Sequence, residues 1–198
     1  MIILAFHIFS KSLERIVGFL AGLLIFSAQL ILVKDVIQKK VRPSLLSWFG
    51  WSLLMGTSLI AQIAVKGWQW SLTGLLLSTI GCLIIAASAL ILNNYFIKKI
   101  DWYLLILGLS CLIIYECSKN PWITTGFAIL ADAIVGVPTI QNAFKNPASQ
   151  KTVAWPLALI SWSFSLLLSV GYNPLYALFP IYLFLFNGAL FYLTYKKN

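Results

Sequence analysis

Charge is what this sequence has least of. Asp, Glu, Lys and Arg make up 10% of its 198 residues, against about 25% in a soluble domain. A chain so poor in charge cannot cover its own surface with polar groups in water. Acid is scarcer still, with five Asp and Glu against fourteen Lys and Arg, for a net charge of +9. The single histidine, His7, precedes the first long apolar run, so neither metal nor general-base chemistry has a histidine to use inside a span. Cys82, Cys111 and Cys117 show no CxxC spacing and fall in apolar runs. They read as small packing residues, which excludes a disulfide framework and a thiolate metal site. GxSxG, HExxH, Walker and GxGxxG patterns are missing too, so neither an enzyme nor a cofactor is expected.

What is present is hydrophobicity, at 61% of the chain. The basic residues stand in short clusters between long apolar runs. In a soluble protein such a charge balance would suggest nucleic acid. Once the apolar runs are buried no basic face remains, so the lipid bilayer is the expected partner and nucleic acid is not. Met1–Phe9 is apolar, but Lys11 and Arg15 follow it instead of preceding it. That order is wrong for a cleavable signal peptide, and the first helix is read as a retained signal-anchor.

A helix needs about 20 apolar residues to cross a hydrocarbon layer of about 30 Å. Seven segments qualify: 13–38, 45–65, 70–97, 101–118, 121–144, 152–171 and 174–195. The breaks are short and polar, and three place a proline where a new helix can begin. Trp68, Trp70, Trp102, Tyr103, Tyr115, Trp122, Tyr172 and Tyr195 fall at segment ends, as an aromatic belt requires. No period-2 alternation supports strands. With seven spans, Lys11, Arg15, Lys66 and Lys119 share one side, and the other ten basic residues share the opposite side. The positive-inside rule then puts the N terminus outside and the C terminus in the cytosol. Short loops fit a bacterial inner membrane or an organelle, and the small size favours the bacterial one.

Two stretches share a layout. Lys34–Lys39 and Gln141–Asn146 each end a helix on polar residues, and a proline and cations follow before a helix opens with tryptophan. Pairing Asp35 with Asn142 sets Trp48 opposite Trp155, 107 residues on, without a gap. That offset covers four spans, so segments 13–97 and 121–195 run in the same sense, with 101–118 restoring the orientation between them. Parallel repeats with a midplane site are a known transporter plan.

Two three-helix units joined by one linker helix, N-out and C-in, resemble the PQ-loop/SWEET superfamily. The resemblance covers nearly the whole chain as topology, while its motifs are degenerate. The Pro-Gln pair stands as Val137-Pro138-Thr139 and as Ala28-Gln29, each keeping one letter. Sugar-carrying members grip solute with an asparagine in spans 3 and 7. Here Ser78-Thr79-Ile80-Gly81 and Phe179-Pro180-Ile181 stand in the comparable places, with Asn187 one to two turns further on. The resemblance implies an all-α integral membrane protein in a 3+1+3 arrangement.

Asp132 is the most informative residue. It lies 13 residues before Lys145, about 20 Å from that helix end and near the bilayer centre. A carboxyl there costs several kcal/mol unless it faces the bundle interior and takes a partner or keeps a proton. It reads first as a proton- or cation-coupling group or a solute contact, and otherwise as a structural carboxyl tying helices together. Trp162 and Trp51 also lie deep in their spans, either stacking on a flat or ring-shaped solute or else filling space between helices or facing lipid. Gln29 and Asn187 are deep amides that either touch solute or hold helices together. Pro138 and Pro180 each remove a helical hydrogen bond and are the candidate hinges. Trp48 and Trp155 lie nearer the cytosolic end and are expected in the belt, with a gate as the alternative, and Asp35–Lys34 and Glu116–Lys119 are expected as surface ion pairs. The expected function is alternating-access transport of a polar or ring-shaped small solute, with or without proton coupling. The alternative is a non-transporting receptor or scaffold subunit of the same architecture, and a homo-oligomer is compatible with either.

Overall fold

In the computed structural model, residues 2–117, 120–169 and 174–195 are described. Seven helices follow one another: α1 (Ile2–Ile37), α2 (Leu45–Lys66), α3 (Thr73–Ile91), α4 (Lys99–Cys117), α5 (Pro121–Lys145), α6 (Ala154–Ser169) and α7 (Leu175–Tyr195). Two 3-10 turns, Trp70–Leu72 and Pro147–Gln150, lead into α3 and connect α5 to α6. No strand occurs among the described residues. Four stretches are long and apolar enough to cross a membrane, namely Lys11–Ile37, Trp70–Ile91, Thr125–Lys145 and Ala177–Tyr195. Leu45–Ile60 and Ala154–Ser169 are shorter apolar helices.

The side chains are distributed inside out. Ile60, Ile106, Leu167 and Leu185 are exposed, while Gln29, Ser78, Asp132, Thr139, Ser161 and Asn187 are buried. In water such a surface would drive aggregation. Against lipid it is the stable arrangement, because only the interior offers polar partners. Length, composition and this distribution mark the chain as an all-α membrane protein.

The boundaries follow local chemistry. Ser44 caps α2, its hydroxyl accepting from the Ser47 N–H, and Asn120 caps α5 through the Trp122 N–H with Pro121 in the first turn. Both oxygens occupy donors that a helix start leaves free. α1 begins at Ile2, well before the expected residue 13. α3 ends at Ile91 rather than 97, because Asn93 turns left-handed at φ 49°. The next residue stops a second helix: Asn94 Nδ2 donates to the carbonyl of Val36 in the last turn of α1 (2.7 Å) and to that of Val41 beyond it (3.0 Å). α6 runs over 154–169 rather than 152–171, and residues 170–171 lie outside the described ones.

α3 packs between α1 and α2, and α7 packs between α5 and α6. α1 lies against α6, α2 against α5, and α4 against α5 and α2. At one end, the 38–44 loop is stitched to its neighbours. Phe96 N donates to Pro43 O at 3.0 Å and Leu45 N to Phe96 O at 3.3 Å. Across the bundle, Arg42 N donates to Ser149 O at 3.3 Å and Gln150 Nε2 to Arg42 O at 2.9 Å.

The aromatic expectation divides. Trp68, Trp70, Trp102, Tyr103 and Trp122 are exposed near helix starts, as a belt requires. Trp48 and Trp155 are 5% and 4% exposed and correct the belt reading, for they stack on each other at 6.3 Å and 22°. Asp35 does not pair with Lys34. Its Oδ2 accepts from Thr152 Oγ1 at 2.5 Å, a contact that binds the end of α1 to the start of α6. The side chains of His7, Cys111, Tyr115, Glu116, Lys119 and Tyr172 lie outside the described residues.

Candidate functional site

A cavity of about 50 Å³ opens where helices α1–α3 meet helices α5–α7. All five side chains expected to meet a solute line it: Gln29, Trp51, Asp132, Trp162 and Asn187. They come from α1, α2, α5, α6 and α7. Helical spacing explains the convergence. Gln29 and Asn187 each lie eight residues before the end of their helix, and Trp162 lies eight residues after the start of its own. At 1.5 Å per residue these positions share a depth of about 12 Å.

Asp132 is 1% exposed. Its Oδ2 accepts from the Tyr182 hydroxyl at 2.7 Å, while Oδ1 is buried without a hydrogen-bond partner. Its main-chain oxygen accepts from Trp51 Nε1 at 3.1 Å. One turn later Ser47 Oγ donates to Val135 O at 2.7 Å. Ser47 and Trp51 are four residues apart and so share one face of α2, which is held to α5 beside Pro138. Gly136 makes this approach possible, since a Cβ there would come within 2.7 Å of Phe186 and 3.1 Å of Trp51.

Gln29 is fixed just as firmly. Its Nε2 donates to Ser78 O at 2.9 Å, to Ser78 Oγ at 3.2 Å and to Cys82 Sγ at 3.5 Å. Its Oε1 has no partner and lies against Gly81, where an added Cβ would stand 1.9 Å away. Asn187 Nδ2 donates back to Leu183 O at 2.7 Å, within its own helix. Pro138 and Pro180 lie inside α5 and α7.

Rings form much of the remaining wall. Trp48 meets Trp51 edge-on at 5.0 Å, and Trp51 meets Phe186 at 5.4 Å. Trp155 Nε1 donates to Gln150 O at 2.8 Å.

Sequence reasoning missed Tyr182, Phe186 and Cys82 as cavity neighbours. Tyr182 lies between Ile181 and Leu183 in an aromatic-rich helix, and nothing in that pattern singles it out. It also missed a role for Asp101, read there only as the first residue of the fourth span. Asp101 is 2% exposed, and its Oδ2 accepts from Lys98 N at 2.9 Å at the start of α4. The lysine-rich context and the i, i+3 spacing of a capping box were the available signal.

The arrangement can hold a small molecule among rings, with one acidic oxygen and fixed amides to orient it. No family model, no curated protein and no solved structure matches the chain.

Proposed function

We propose that the protein is a small-solute transporter in which two three-helix units, α1–α3 and α5–α7, joined by α4, give alternating access to the central cavity. The observation that carries this reading is the cavity's composition. Gln29, Trp51 and Ser78 come from one unit and Asp132, Trp162 and Asn187 from the other. Rocking one unit against the other would open and close a site built this way.

The packing order supports a repeat. The third helix of each unit lies between its first and second, and exchanging the units turns the α1–α6 contact into the α5–α2 contact. Trp48 and Trp155, matched by the 107-residue offset, stack on each other, as paired residues beside a pseudo-two-fold axis would. This reading makes the chain a PQ-loop/SWEET-like protein with degenerate motifs. Pro138 and Pro180 are the proposed hinges, since each breaks the helical ladder of a helix lining the cavity. The charge asymmetry favours N-out and C-in, and the small size favours a bacterial inner membrane.

A thermal-stability screen of the detergent-purified protein against sugars, amino acids, nucleosides and vitamins tests the reading. A ligand that binds only the folded state must raise the melting temperature. The expected result is a solute-specific rise that Trp162→Ala loses. No rise across the panel would favour a non-transporting scaffold.

A further inference from the structure

The cavity is chemically one-sided. Among its lining residues the only carboxyl is that of Asp132, and none is a lysine, arginine or histidine. Asp132 Oδ1 is buried and unpartnered, so one carboxyl oxygen lacks the donor that a buried polar atom normally has. Many N–H donors of the wall are already engaged. Gln29 Nε2 is held by Ser78 and Cys82, Trp51 Nε1 by the Asp132 carbonyl, Trp155 Nε1 by Gln150, and Asn187 Nδ2 by Leu183. An anion would meet a carboxylate with few donors to offset it. A donor-bearing cation would complete the site.

The rings narrow the class further. Trp48, Trp51, Trp155, Trp162 and Phe186 all line the same space. The face of an aromatic ring is electronegative and attracts organic ammonium groups, most strongly where water is excluded. A small inorganic ion would have to give up its hydration shell for a wall that is mostly carbon. An amine with an apolar body satisfies both the rings and the open oxygen.

We propose that the solute is a small organic monocation, an amine whose N–H donates to Asp132 Oδ1 while its body packs among the tryptophans. This rests on the transport reading and names the substrate class for that same cavity. Trp162 forms part of the box and Tyr182 holds the other oxygen of Asp132 in place.

The test is a melting-temperature titration of the purified protein with matched probes. Phenethylamine and piperidine supply the cation, phenethyl alcohol and tetrahydropyran the uncharged counterparts, phenylacetate the anion, and NaCl at equal ionic strength the inorganic control. The amines are expected to raise the midpoint by about 5–10 °C at saturation and to bind at least tenfold more tightly than their uncharged counterparts. Asp132→Asn, which keeps an acceptor for Tyr182, should abolish that preference. Trp162→Phe should weaken amine binding while retaining the preference, and the amine-to-alcohol ratio in the unaltered protein decides the matter even if a variant fails to fold. Equal shifts by amine and alcohol, a shift by phenylacetate, or a shift by NaCl as large as the amine's would overturn the cation class. A neutral panel solute that stabilises the protein while no amine does would overturn the class and leave the transport reading standing. No shift with any probe or any panel solute would overturn both.

Discussion

Tyr182 on α7 donates its hydroxyl to one oxygen of Asp132 on α5 at 2.7 Å, and the other oxygen of that carboxyl has no partner. The pair ties two helices of one half together while leaving an acceptor at the cavity wall. Both consequences can be separated by experiment.

Tyr182→Phe removes the donor and keeps the ring, which packs against Phe179 and Phe186. Asp132 then loses the partner of Oδ2 in a dry interior, at a cost of about 1–3 kcal/mol. The melting temperature should fall by a few degrees. Solute affinity should fall as well, because an unanchored carboxyl no longer presents Oδ1 in one place. Unchanged stability and unchanged affinity together would mean that the contact holds nothing.

Gly81→Ala places a methyl group 1.9 Å from Gln29 Oε1. The amide must move, since no rotation of a Cβ relieves such an approach. Overpacking of this kind costs about 1–3 kcal/mol, and the displaced Gln29 would intrude on the cavity. Adding Gln29→Ala should restore much of the lost stability. A double variant no more stable than Gly81→Ala alone would contradict the predicted coupling, which a double-mutant cycle measures directly.

Trp155→Ala removes a buried ring from the stack with Trp48 and should destabilise the protein by about 3–5 kcal/mol. Trp102→Ala, at a position 52% exposed, should cost far less. Thermal unfolding of the two variants side by side distinguishes an interior stack from a belt residue. Similar losses would put Trp155 back in the belt.

Much of this architecture was legible in the sequence because the constraint that writes it is severe. A backbone crossing hydrocarbon must satisfy its own hydrogen bonds, so apolar runs, polar breaks and the proline at 121 announce helices. The depth of Asp132, Trp162, Gln29, Trp51 and Asn187 followed from counting residues, and all five line one cavity. Interior neighbours did not follow. Asn187 apart, the run 181–193 is apolar or aromatic on every side, so its sequence does not say that Tyr182 turns inward while Ile181 is exposed. Trp48 and Trp155 looked like belt residues because they lie near helix ends, and only the meeting of α2 and α6 near the cavity makes them interior. The end of α3 was misjudged because Leu92–Ile97 reads as a continuation of an apolar run. Asn93 and Asn94 stop it through backbone geometry and long-range bonds.

Topology can be tested without knowing the solute. Reporter fusions that are active only outside, or only in the cytosol, should give opposite signals at the two termini, with the C-terminal fusion cytosolic. A cytosolic N terminus would contradict both the orientation and the odd number of spans.

Uptake into proteoliposomes tests the central claim most directly, using whichever solute raises the melting temperature. The transport account predicts saturable accumulation above protein-free liposomes, lost in Trp162→Ala. A solute that binds with Trp162-dependent affinity yet never crosses the bilayer would contradict that account, and would make the protein a receptor built on a transporter-like bundle.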